Sequence, residues 1–378
     1  MDLTLPASAA GLRQAADALV TEILEPAATG LPPAEGAISA GIAVAVHRRR
    51  SDLGLWGLSV PRELGGRAAG WLEQALVQER VQRSLVGLWG HGLWTWGEPP
   101  APLWATRGAQ RAAFLEPCLA GTQVAHQLVV PRAAGDGAPG LACAPDGDGA
   151  ILSGRWPAVP ALQTAGLLVV IAEMAGAPVG LLCDGRLVGY RLEHLRPGMG
   201  SVELVDIVWD RCRLGPERLL VGVGEAAEAW RALQQIAYLG AGALGAAARC
   251  LELGLAHARQ RRTFGRPLAD RQAIQWMLAD SARELQEGRL LLYRAATLAD
   301  QGDVAAAVGL AGPAKAYATD AACRIVDRML QLHGGYGYTR DLPLERFWRD
   351  LRFYRLAEGR NEELVAGAAA SLLAALDA

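Results

Sequence analysis

The spacing of apolar residues divides the chain into three regions. In the first, apolar side chains recur three or four positions apart, as in "AAGLRQAADALVTEILEP" and "GWLEQALVQERVQRSLVGLW", which is typical of amphipathic helices. In the second, short apolar runs such as "GLLVVIAEM" and "VELVDIVWDRCRL" alternate with turn-forming "AGAP" and "RPGMG", which predicts strands. In the third, long helical periodicity returns in "EAAEAWRALQQIAYLGAGALGAAARCLELGLAHARQ" and the segments that follow it.

These patterns predict an α+β protein whose helical and β parts are segregated. We expect an N-terminal α-helical domain over residues 1–122, a middle antiparallel β-barrel or sandwich domain over 123–222 and a C-terminal four-helix bundle over 223–378. The pattern shows no alternation of strands and helices, so a Rossmann domain is not expected. The "GAGALG" at residues 240–245 lies within a helical pattern and follows no strand, so it indicates close helix packing and not a dinucleotide-binding loop.

Composition narrows the functional class. The 378 residues are 51% hydrophobic and 20% charged with a net charge of -2, which is typical of a soluble globular protein and gives no basic surface for nucleic acid. The six cysteines are scattered and form no CxxC pair, so neither a disulfide framework nor a metal site is expected. We therefore expect reduced thiols and a cytoplasmic protein.

Two apolar segments bear on membrane association. The first twenty residues have an early acid and no basic region ahead of an apolar block, so they do not indicate a signal peptide. The run "AGLLVVIAEMAGAPVGLLC" is interrupted by Glu173 and a turn-like "AGAP", which indicates two buried strands rather than a bilayer span. No membrane insertion is expected.

Three motifs in the last third of the chain occur in a recognisable order. They are "RQRRTFGRPLADRQ", "LQLHGGYGYTRD" and "LAEGRNEEL". Together they resemble the acyl-CoA dehydrogenase family, whose usual form is Arg-x-Thr-Phe-Gly followed by Gln, then Gln-x-x-Gly-Gly-x-Gly, Arg-Asp and Glu-Gly-Thr. The resemblance extends to "DLGLWGLSVPRELGG" near the start and to "LRPGMGSVELVDIVWDRCRLGPERLL" at the end of the β region.

The resemblance implies a flavoprotein that acts on an acyl thioester. It implies FAD between the β domain, the bundle and a neighbouring subunit of a homotetramer or homodimer, and an electron-transferring flavoprotein as redox partner. The thioester would be carried by CoA or by acyl-carrier protein. The residues carried over as cofactor-binding are Arg261, Thr263, Phe264, Gln272, Gln331, Gly334, Gly335, Trp156 and Arg360.

Physical chemistry agrees with several of these assignments. Gly334 and Gly335 allow close backbone approach to a pyrophosphate, and Arg261 offers a charge-assisted donor. Phe264 would pack against the adenine or the flavin edge, with Thr263 and Gln272 as polar partners. The alternative is that the two glycines end a helix and that Arg261 is a solvated cation at another helix end.

The resemblance places Glu358 at the position of the family's catalytic base. A carboxylate there removes the α-proton of the thioester, provided that burial raises its pKa. The alternative is an ordinary acid near the start of the last helix, a role that Glu362 and Glu363 fit better. Some members of the family carry the base on the first bundle helix, but here that region reads "LQQIAYLG", with Gln234 and Gln235.

Several positions depart from the family pattern. Val129 and Ala158 replace two threonines that hold the flavin ring, and Pro157 removes a backbone donor. At roughly 1 kcal/mol for each lost hydrogen bond, FAD affinity would fall by about one or two orders of magnitude. Arg360 replaces a threonine, so it would either meet the FAD or hold Glu358 ionised, and Ile236 replaces an arginine.

Three functions are compatible with this sequence. The first is an FAD-dependent dehydrogenase that forms an α,β-unsaturated acyl thioester. The second is a flavin-poor partner subunit in a heteromer with a related chain, which at its non-catalytic limit is a substrate-binding pseudoenzyme. The third is a non-redox enzyme that keeps α-proton abstraction by Glu358.

Overall fold

Helices dominate both ends of the protein. The computed structural model describes residues 7–29, 40–86, 98–130, 140–160, 166–199 and 203–374. In chain order the α-helices are α1 Ala7–Leu19, α2 Glu25–Thr29, α3 Ala40–Asp52, α4 Trp71–Val81, α5 Ala101–Trp104, α6 Gly108–Gln110, α7 Glu116–Leu119, α8 Gly224–Gln234, α9 Ala241–Gln260, α10 Gln272–Asp300, α11 Val304–His333, α12 Leu344–Tyr354 and α13 Asn361–Ala374. Wide π-type turns join α1 to α2, α6 to α7 and α8 to α9.

The strands lie between the two helical regions. They are β1 Ala125–Val129, β2 Gly140–Asp146, β3 Gly149–Pro160, β4 Leu167–Met174, β5 Ala177–Cys183, β6 Tyr190–Pro197, β7 Glu203–Leu214, β8 Leu219–Val221, and the short pair β9 Arg262–Thr263 and β10 Arg266–Pro267. One four-stranded sheet has the order β1-β4-β5-β8, the other has the order β2-β3-β7-β6, and β9 pairs with β10.

The two four-stranded sheets form a sandwich. Leu168 and Leu181 of the first sheet pack with Leu152 and Ile207 of the second in one buried cluster. Strand β4 is buried on both faces. One face packs on the second sheet, and the opposite face packs against the short helices α5 and α7 and against α8. The first sheet therefore lies directly beside the start of the bundle.

The N-terminal helices and the bundle share a single apolar core. Asp300, at the end of α10, accepts hydrogen bonds from the Trp71 and Leu72 backbone N–H groups at 2.6 and 3.1 Å, and so caps α4. The helix formed by residues 224–260 is long and apolar enough to cross a bilayer, but 72% of the apolar window is buried inside the protein. This burial is what a core helix of a bundle requires.

The structure confirms the α+β class and the helix–strand–helix order. Strands replace helices between Leu119 and Ala125, and helices return at Gly224; the domain boundaries themselves stay predictions. The interrupted apolar run forms β4 and β5, as expected. One pair departs from the expected antiparallel arrangement, since β1 runs parallel to β4.

The glycines of "GAGALG" lie in a helix, as predicted. A Cβ on Gly245 would lie 2.0 Å from the Glu79 carbonyl oxygen of α4, and one on Gly242 would lie 2.1 Å from Gln82 Oε1. Real Cβ atoms essentially never lie so close, so the absence of a side chain at Gly245 lets α9 pack against the α4 backbone, while at Gly242 the Gln82 side chain would have to move.

Candidate active site

A strained turn between α12 and α13 presents Glu358. Its φ is +53°, in the left-handed region that non-glycine residues rarely adopt, and the φ of Gly359 is +110°. The Glu358 carbonyl oxygen accepts hydrogen bonds from Gln235 Nε2 at 2.5 Å and from Arg231 Nη1 at 3.1 Å. Strain of this kind persists only where surrounding contacts hold it, and here the end of α8 and the π-type turn after it provide them.

The other side of the same turn is held by Lys315, the only lysine in the chain. Its side chain is fully buried in α11, and Nζ donates to the Gly359 carbonyl oxygen at 2.8 Å and to Asn361 Oδ1 at 3.0 Å. Asn361 Nδ2 in turn donates to Thr319 Oγ1 at 2.9 Å and to Asp320 Oδ1 at 2.9 Å. Both carbonyls of the turn are therefore fixed, one from α8 and one from α11.

The electrostatics of Glu358 suit a general base. Burial raises the pKa of its carboxyl above the ordinary glutamate value, and the positive charges of Arg231 and Lys315 oppose that rise. Burial also lowers the pKa of Lys315 to about 8, against the attraction of Glu358. A carboxylate whose pKa lies nearer neutrality accepts a proton more readily than an exposed one.

Glu358 lines a cavity of about 820 Å³ between the β sandwich and the bundle. That size is in the range of clefts that hold cofactors and substrates. Its described lining comes from β1, β3, β7, α8 and the segment around the turn. The lining residues are Gln127, Leu128, Val129, Val130, Trp156, Ala158, Val159, Leu204, Glu228, Arg231, Phe353, Leu356, Ala357, Glu358, Gly359, Arg360, Glu363 and Leu364.

The β-strand wall of this cavity offers few hydrogen bonds to a flavin ring. Val129 and Ala158 carry no hydroxyl, and Pro157 has no N–H. The Ala158 N–H is already donated to Asp206 Oδ1 at 2.8 Å, and the Val130 N–H is donated to the Ile171 carbonyl at 2.9 Å. The cavity thus has the volume for the ring, while the two expected side-chain contacts are absent from the described wall.

Asp206 explains the shape of that wall. It is buried beneath β3 and binds the guanidinium groups of Arg155 and Arg196. The hydrogen bonds from Arg196 and Arg155, joined by that of the Ala158 N–H, hold the pKa of its carboxyl well below the usual range. Asp206 therefore keeps β3 bulged at Ala158, whose φ is +55°.

Arg360 also lines the cavity but is paired elsewhere. Its guanidinium binds the Glu363 carboxylate, and its backbone N–H donates to the same carboxylate at 3.3 Å. The cations that act on the pKa of Glu358 are Arg231 and Lys315. Two roles were expected for Arg360, to contact the FAD or to hold Glu358 ionised. The second role belongs to Arg231 and Lys315.

The remaining sequence-predicted residues lie on a separate surface. His257 and His333 stack with ring centroids 4.1 Å apart, which brings the end of α9 against the end of α11. Seven predicted residues collect at these ends: Arg261, Thr263, Phe264, Gln272, Gln331, Gly334 and Gly335. All are exposed except Thr263, which is half-buried, and none lines the cavity at Glu358.

Two details describe that surface, which we call the α9–α11 end. The Phe264 side chain is 98% exposed, with the Arg271 guanidinium 5.5 Å from its ring centroid, and Arg271 also donates to Thr263 Oγ1 at 3.2 Å. Gly334 has a φ of +60° and open space where a Cβ would be.

Gln331 lies sixteen residues after Lys315 on α11, roughly 24 Å along a helix that rises 1.5 Å per residue. Within one chain, these residues and Glu358 therefore do not form one compact site.

Comparisons with known proteins agree with this architecture. Residues 8–122 match the family model described as "Acyl-CoA dehydrogenase, N-terminal domain", and residues 237–373 match "Acyl-CoA dehydrogenase, C-terminal domain". The chain belongs to the acyl-CoA dehydrogenase family.

Individual family members show how far the likeness extends. The chain is 29% identical to (R)-benzylsuccinyl-CoA dehydrogenase of Thauera aromatica over 82% of its own length and 80% of the relative's. It is 44% identical to cyclohexane-1-carbonyl-CoA dehydrogenase of Geobacter metallireducens over 33% of its length and 32% of the relative's. The structure of butyryl-CoA dehydrogenase from Megasphaera elsdenii superposes with a TM-score of 0.84 at 22% identity, covering 99% of this chain and 100% of that one.

Against this acyl-CoA dehydrogenase background, sequence reasoning missed the residues that hold Glu358. Arg231 and Gln235 contact its carbonyl, and Lys315 contacts the next one. Lys315 carried a signal, because it is the single lysine in a chain with 37 basic residues. Arg231 carried none, since an arginine on an amphipathic helix is most often a solvated surface residue.

Proposed function

We propose that this chain is an acyl-CoA dehydrogenase that oxidises an acyl thioester to its α,β-unsaturated product with FAD as cofactor. The observation that carries the proposal is Glu358, a carboxyl of raised pKa on a rigid turn that lines an 820 Å³ cavity. The acyl group is carried by CoA or by acyl-carrier protein. The electrons removed from the substrate pass to an electron-transferring flavoprotein.

The residues of this chain supply the proton chemistry. Glu358 takes the proton from the α-carbon, and the C–H electron pair becomes part of the new α,β double bond. The cavity beside Glu358 would hold the flavin ring of FAD, which would supply the hydride acceptor for the β-carbon. Arg231 and Lys315 oppose the rise in the pKa of Glu358 and so favour its carboxylate form, which is the form that accepts a proton. The apolar wall of Leu128, Val129 and Val159 keeps bulk water from the reacting carbons.

The α9–α11 end supports a homotetramer or homodimer. Its predicted cofactor residues are separated from Glu358 by much of α11, so they would contact the FAD of a neighbouring subunit. Such an assembly completes each flavin site with residues from two chains. We place this assembly in the cytoplasm, in keeping with six free cysteines among the described residues.

The first test is the visible absorption spectrum of the purified protein, before and after FAD is added. Bound flavin supports the dehydrogenase, and acyl thioesters are then assayed with an artificial electron acceptor. Glu358→Gln should reduce turnover by about a hundred- to ten-thousandfold while FAD content is unchanged, because a general base contributes on the order of 10²–10⁴. Full activity of Glu358→Gln would exclude Glu358 as the base.

A partner subunit is the second candidate, and the β-strand wall favours it. Val129, Pro157 and the engaged Ala158 N–H leave the flavin ring with few contacts. A partner subunit would acquire FAD only when co-expressed with a related chain. Stoichiometric FAD in the isolated homo-oligomer would exclude it.

A colourless protein that exchanges the α-deuterium of a thioester without any electron acceptor would instead indicate a non-redox enzyme. That result would keep Glu358 as the base and remove the hydride step. Absence of exchange on every thioester that binds would exclude this third function.

A further inference from the structure

A second, much smaller compartment lies behind Glu358. It has a volume of about 10 Å³, close to the room that one water molecule or one hydroxyl needs. Glu358, Arg231 and Gln127 line both this compartment and the large cavity, so the two are neighbours. The remaining lining is Glu98, Pro100, Ala125, Trp230 and Gln234.

Four buried polar atoms around this compartment have no hydrogen-bond partner among the described residues. They are the donors Trp230 Nε1 and Arg231 Nε and the acceptors Gln127 Oε1 and Gln234 Oε1. Gln234 is only 4% exposed. A buried polar atom without a partner typically costs about 1–3 kcal/mol, so a polar group placed among these four atoms would be stabilised by hydrogen bonds to them.

The other polar atoms of these side chains are engaged, which orients the unpartnered ones. Gln127 Nε2 donates to the Ala227 carbonyl at 3.0 Å, and the Gln234 amide is hydrogen-bonded to the Tyr238 hydroxyl. Arg231 Nη1 is held by the Glu358 carbonyl. Glu98 accepts from the Leu58 and Ser59 backbone N–H groups, both at 3.1 Å.

The mixture of donors and acceptors selects the chemistry of the ligand group. An alkyl chain would leave all four atoms without partners. A carboxylate would match the two donors, but it would face the two glutamine oxygens and the carboxyl groups of Glu98 and Glu358. A hydroxyl both donates and accepts, and its size fits 10 Å³.

We propose that this compartment, formed by Gln127, Trp230, Arg231 and Gln234 beside Glu358, binds a hydroxyl on the acyl chain, so that the substrate is a short hydroxyacyl thioester. This inference rests on the proposed thioester chemistry. Because Glu358 lines both spaces, a hydroxyl bound in the compartment lies within a few bonds of the α-carbon that Glu358 deprotonates. At about 10 Å³ among the described residues, the compartment is too small for a long alkyl tail.

The test is calorimetric binding to the purified full-length protein, which requires no turnover. 3-Hydroxybutyryl-CoA and 4-hydroxybutyryl-CoA are compared with 3-methylbutyryl-CoA and pentanoyl-CoA, in which a methyl group replaces each hydroxyl. At least one hydroxyacyl compound is expected to bind about ten- to a hundredfold more tightly than its methyl counterpart, since a site built for a hydroxyl rejects the analogue that leaves its polar atoms unpaired.

Two variants test where the preference comes from. Trp230→Phe replaces the indole donor by a smaller aromatic ring, and Gln234→Leu replaces the amide acceptor by an apolar side chain of similar size. Each should reduce the preference for the hydroxyl at least about fivefold, because the hydroxyacyl compound loses a partner and the methyl compound no longer leaves that polar atom unpaired. Circular dichroism melts confirm folding, and if one variant is unfolded the other decides.

Several outcomes would overturn the proposal. Equal affinities within both pairs would mean that only water occupies the compartment, and tighter binding of succinyl-CoA than of either hydroxyacyl compound would indicate an anionic acyl group. An undiminished preference in a folded variant would place hydroxyl recognition elsewhere. In these cases thioester binding, and with it the proposed function, still stands. If no thioester binds, the proposed function and this inference both fail.

Discussion

At the scale of single residues, the raised pKa of Glu358 has a consequence for stability. Its protonated form stabilises the fold at pH values below the ordinary glutamate pKa of about 4.3, and this contribution is lost as the pH rises through the higher pKa of the folded state. The glutamine side chain of Glu358→Gln stays neutral at every pH. At pH 7 the variant should therefore be more stable than the natural protein, by about 1.4 kcal/mol of unfolding free energy for each unit of pKa shift, and should melt at a higher temperature. Near pH 4, where Glu358 is protonated, the two proteins should be equally stable.

The matched control for this prediction is Glu363→Gln. The hydrogen bond from Arg360 lowers the pKa of the Glu363 carboxyl. Its contribution is therefore present above the ordinary pKa and lost as the pH falls, so this variant should be slightly less stable than the natural protein at pH 7. Thermal melts between pH 4 and 8 distinguish the two signs. A pH-independent gain in Glu358→Gln would show that its carboxyl is not perturbed.

Lys315 provides a direct spectroscopic report on the same turn. Because it is the only lysine, protein labelled with ¹³C at the lysine ε-carbon gives one side-chain signal. We expect that signal to titrate near pH 8, below the ordinary value of about 10.4, because the ammonium is buried. Glu358→Gln removes a carboxylate that favours the charged ammonium, so the midpoint should move lower still.

Glu22→Gln serves as the control, because Glu22 pairs with Arg49 in the N-terminal helical region. It should leave the Lys315 midpoint unchanged. A midpoint near 10.4, or one that ignores Glu358→Gln, would mean that the Lys315 ammonium and the Glu358 carboxyl are not coupled.

At the scale of elements, the contact between α4 and α9 depends on the absence of a side chain at Gly245. Gly245→Ala would place a Cβ against the Glu79 carbonyl and force the two helices apart, at a cost of about 1–3 kcal/mol. Gly309→Ala in α11 meets nothing within 4 Å, so it should instead stabilise the protein by about 0.5–1 kcal/mol. Urea unfolding of both variants measures the difference, and equal effects would contradict the packing argument.

At the scale of the whole molecule, the α9–α11 end is expected to contact a second copy of the chain. Phe264 is 98% exposed and Tyr338 is 91% exposed, and burying a side chain of this size contributes about 1.5–3 kcal/mol. Phe264→Ser should therefore shift the protein toward smaller species in light scattering at micromolar concentration. It should also reduce FAD content, because the residues near it would contact the neighbour's cofactor.

Val188→Ser is the control for that experiment. Val188 is 89% exposed in a turn of the β domain. It should alter neither the mass nor the FAD content. If Phe264→Ser behaves like Val188→Ser, the α9–α11 end is not the subunit interface.

The sequence alone determined the class of the protein, because the signals for it are local. Helical and strand periodicity along the chain predict the α+β order, since a helix and a strand bury their apolar faces with different periods. The motif order around Arg261, Gly334 and Glu358 indicated the family. The requirement for glycine at Gly245 was also predicted, as close helix packing, because "GAGALG" lies within a helical pattern.

Only the tertiary structure decided how the site is assembled. Arg231, Lys315 and Glu358 are far apart in sequence, and their charges interact only after α8 and α11 pack on either side of one turn. The perturbed pKa values follow from burial, which no local pattern specifies. The separation of the predicted cofactor residues into two surfaces, and the unpartnered polar atoms of Gln127 and Gln234, likewise depend on how distant elements pack together, and so could not be predicted from residue order.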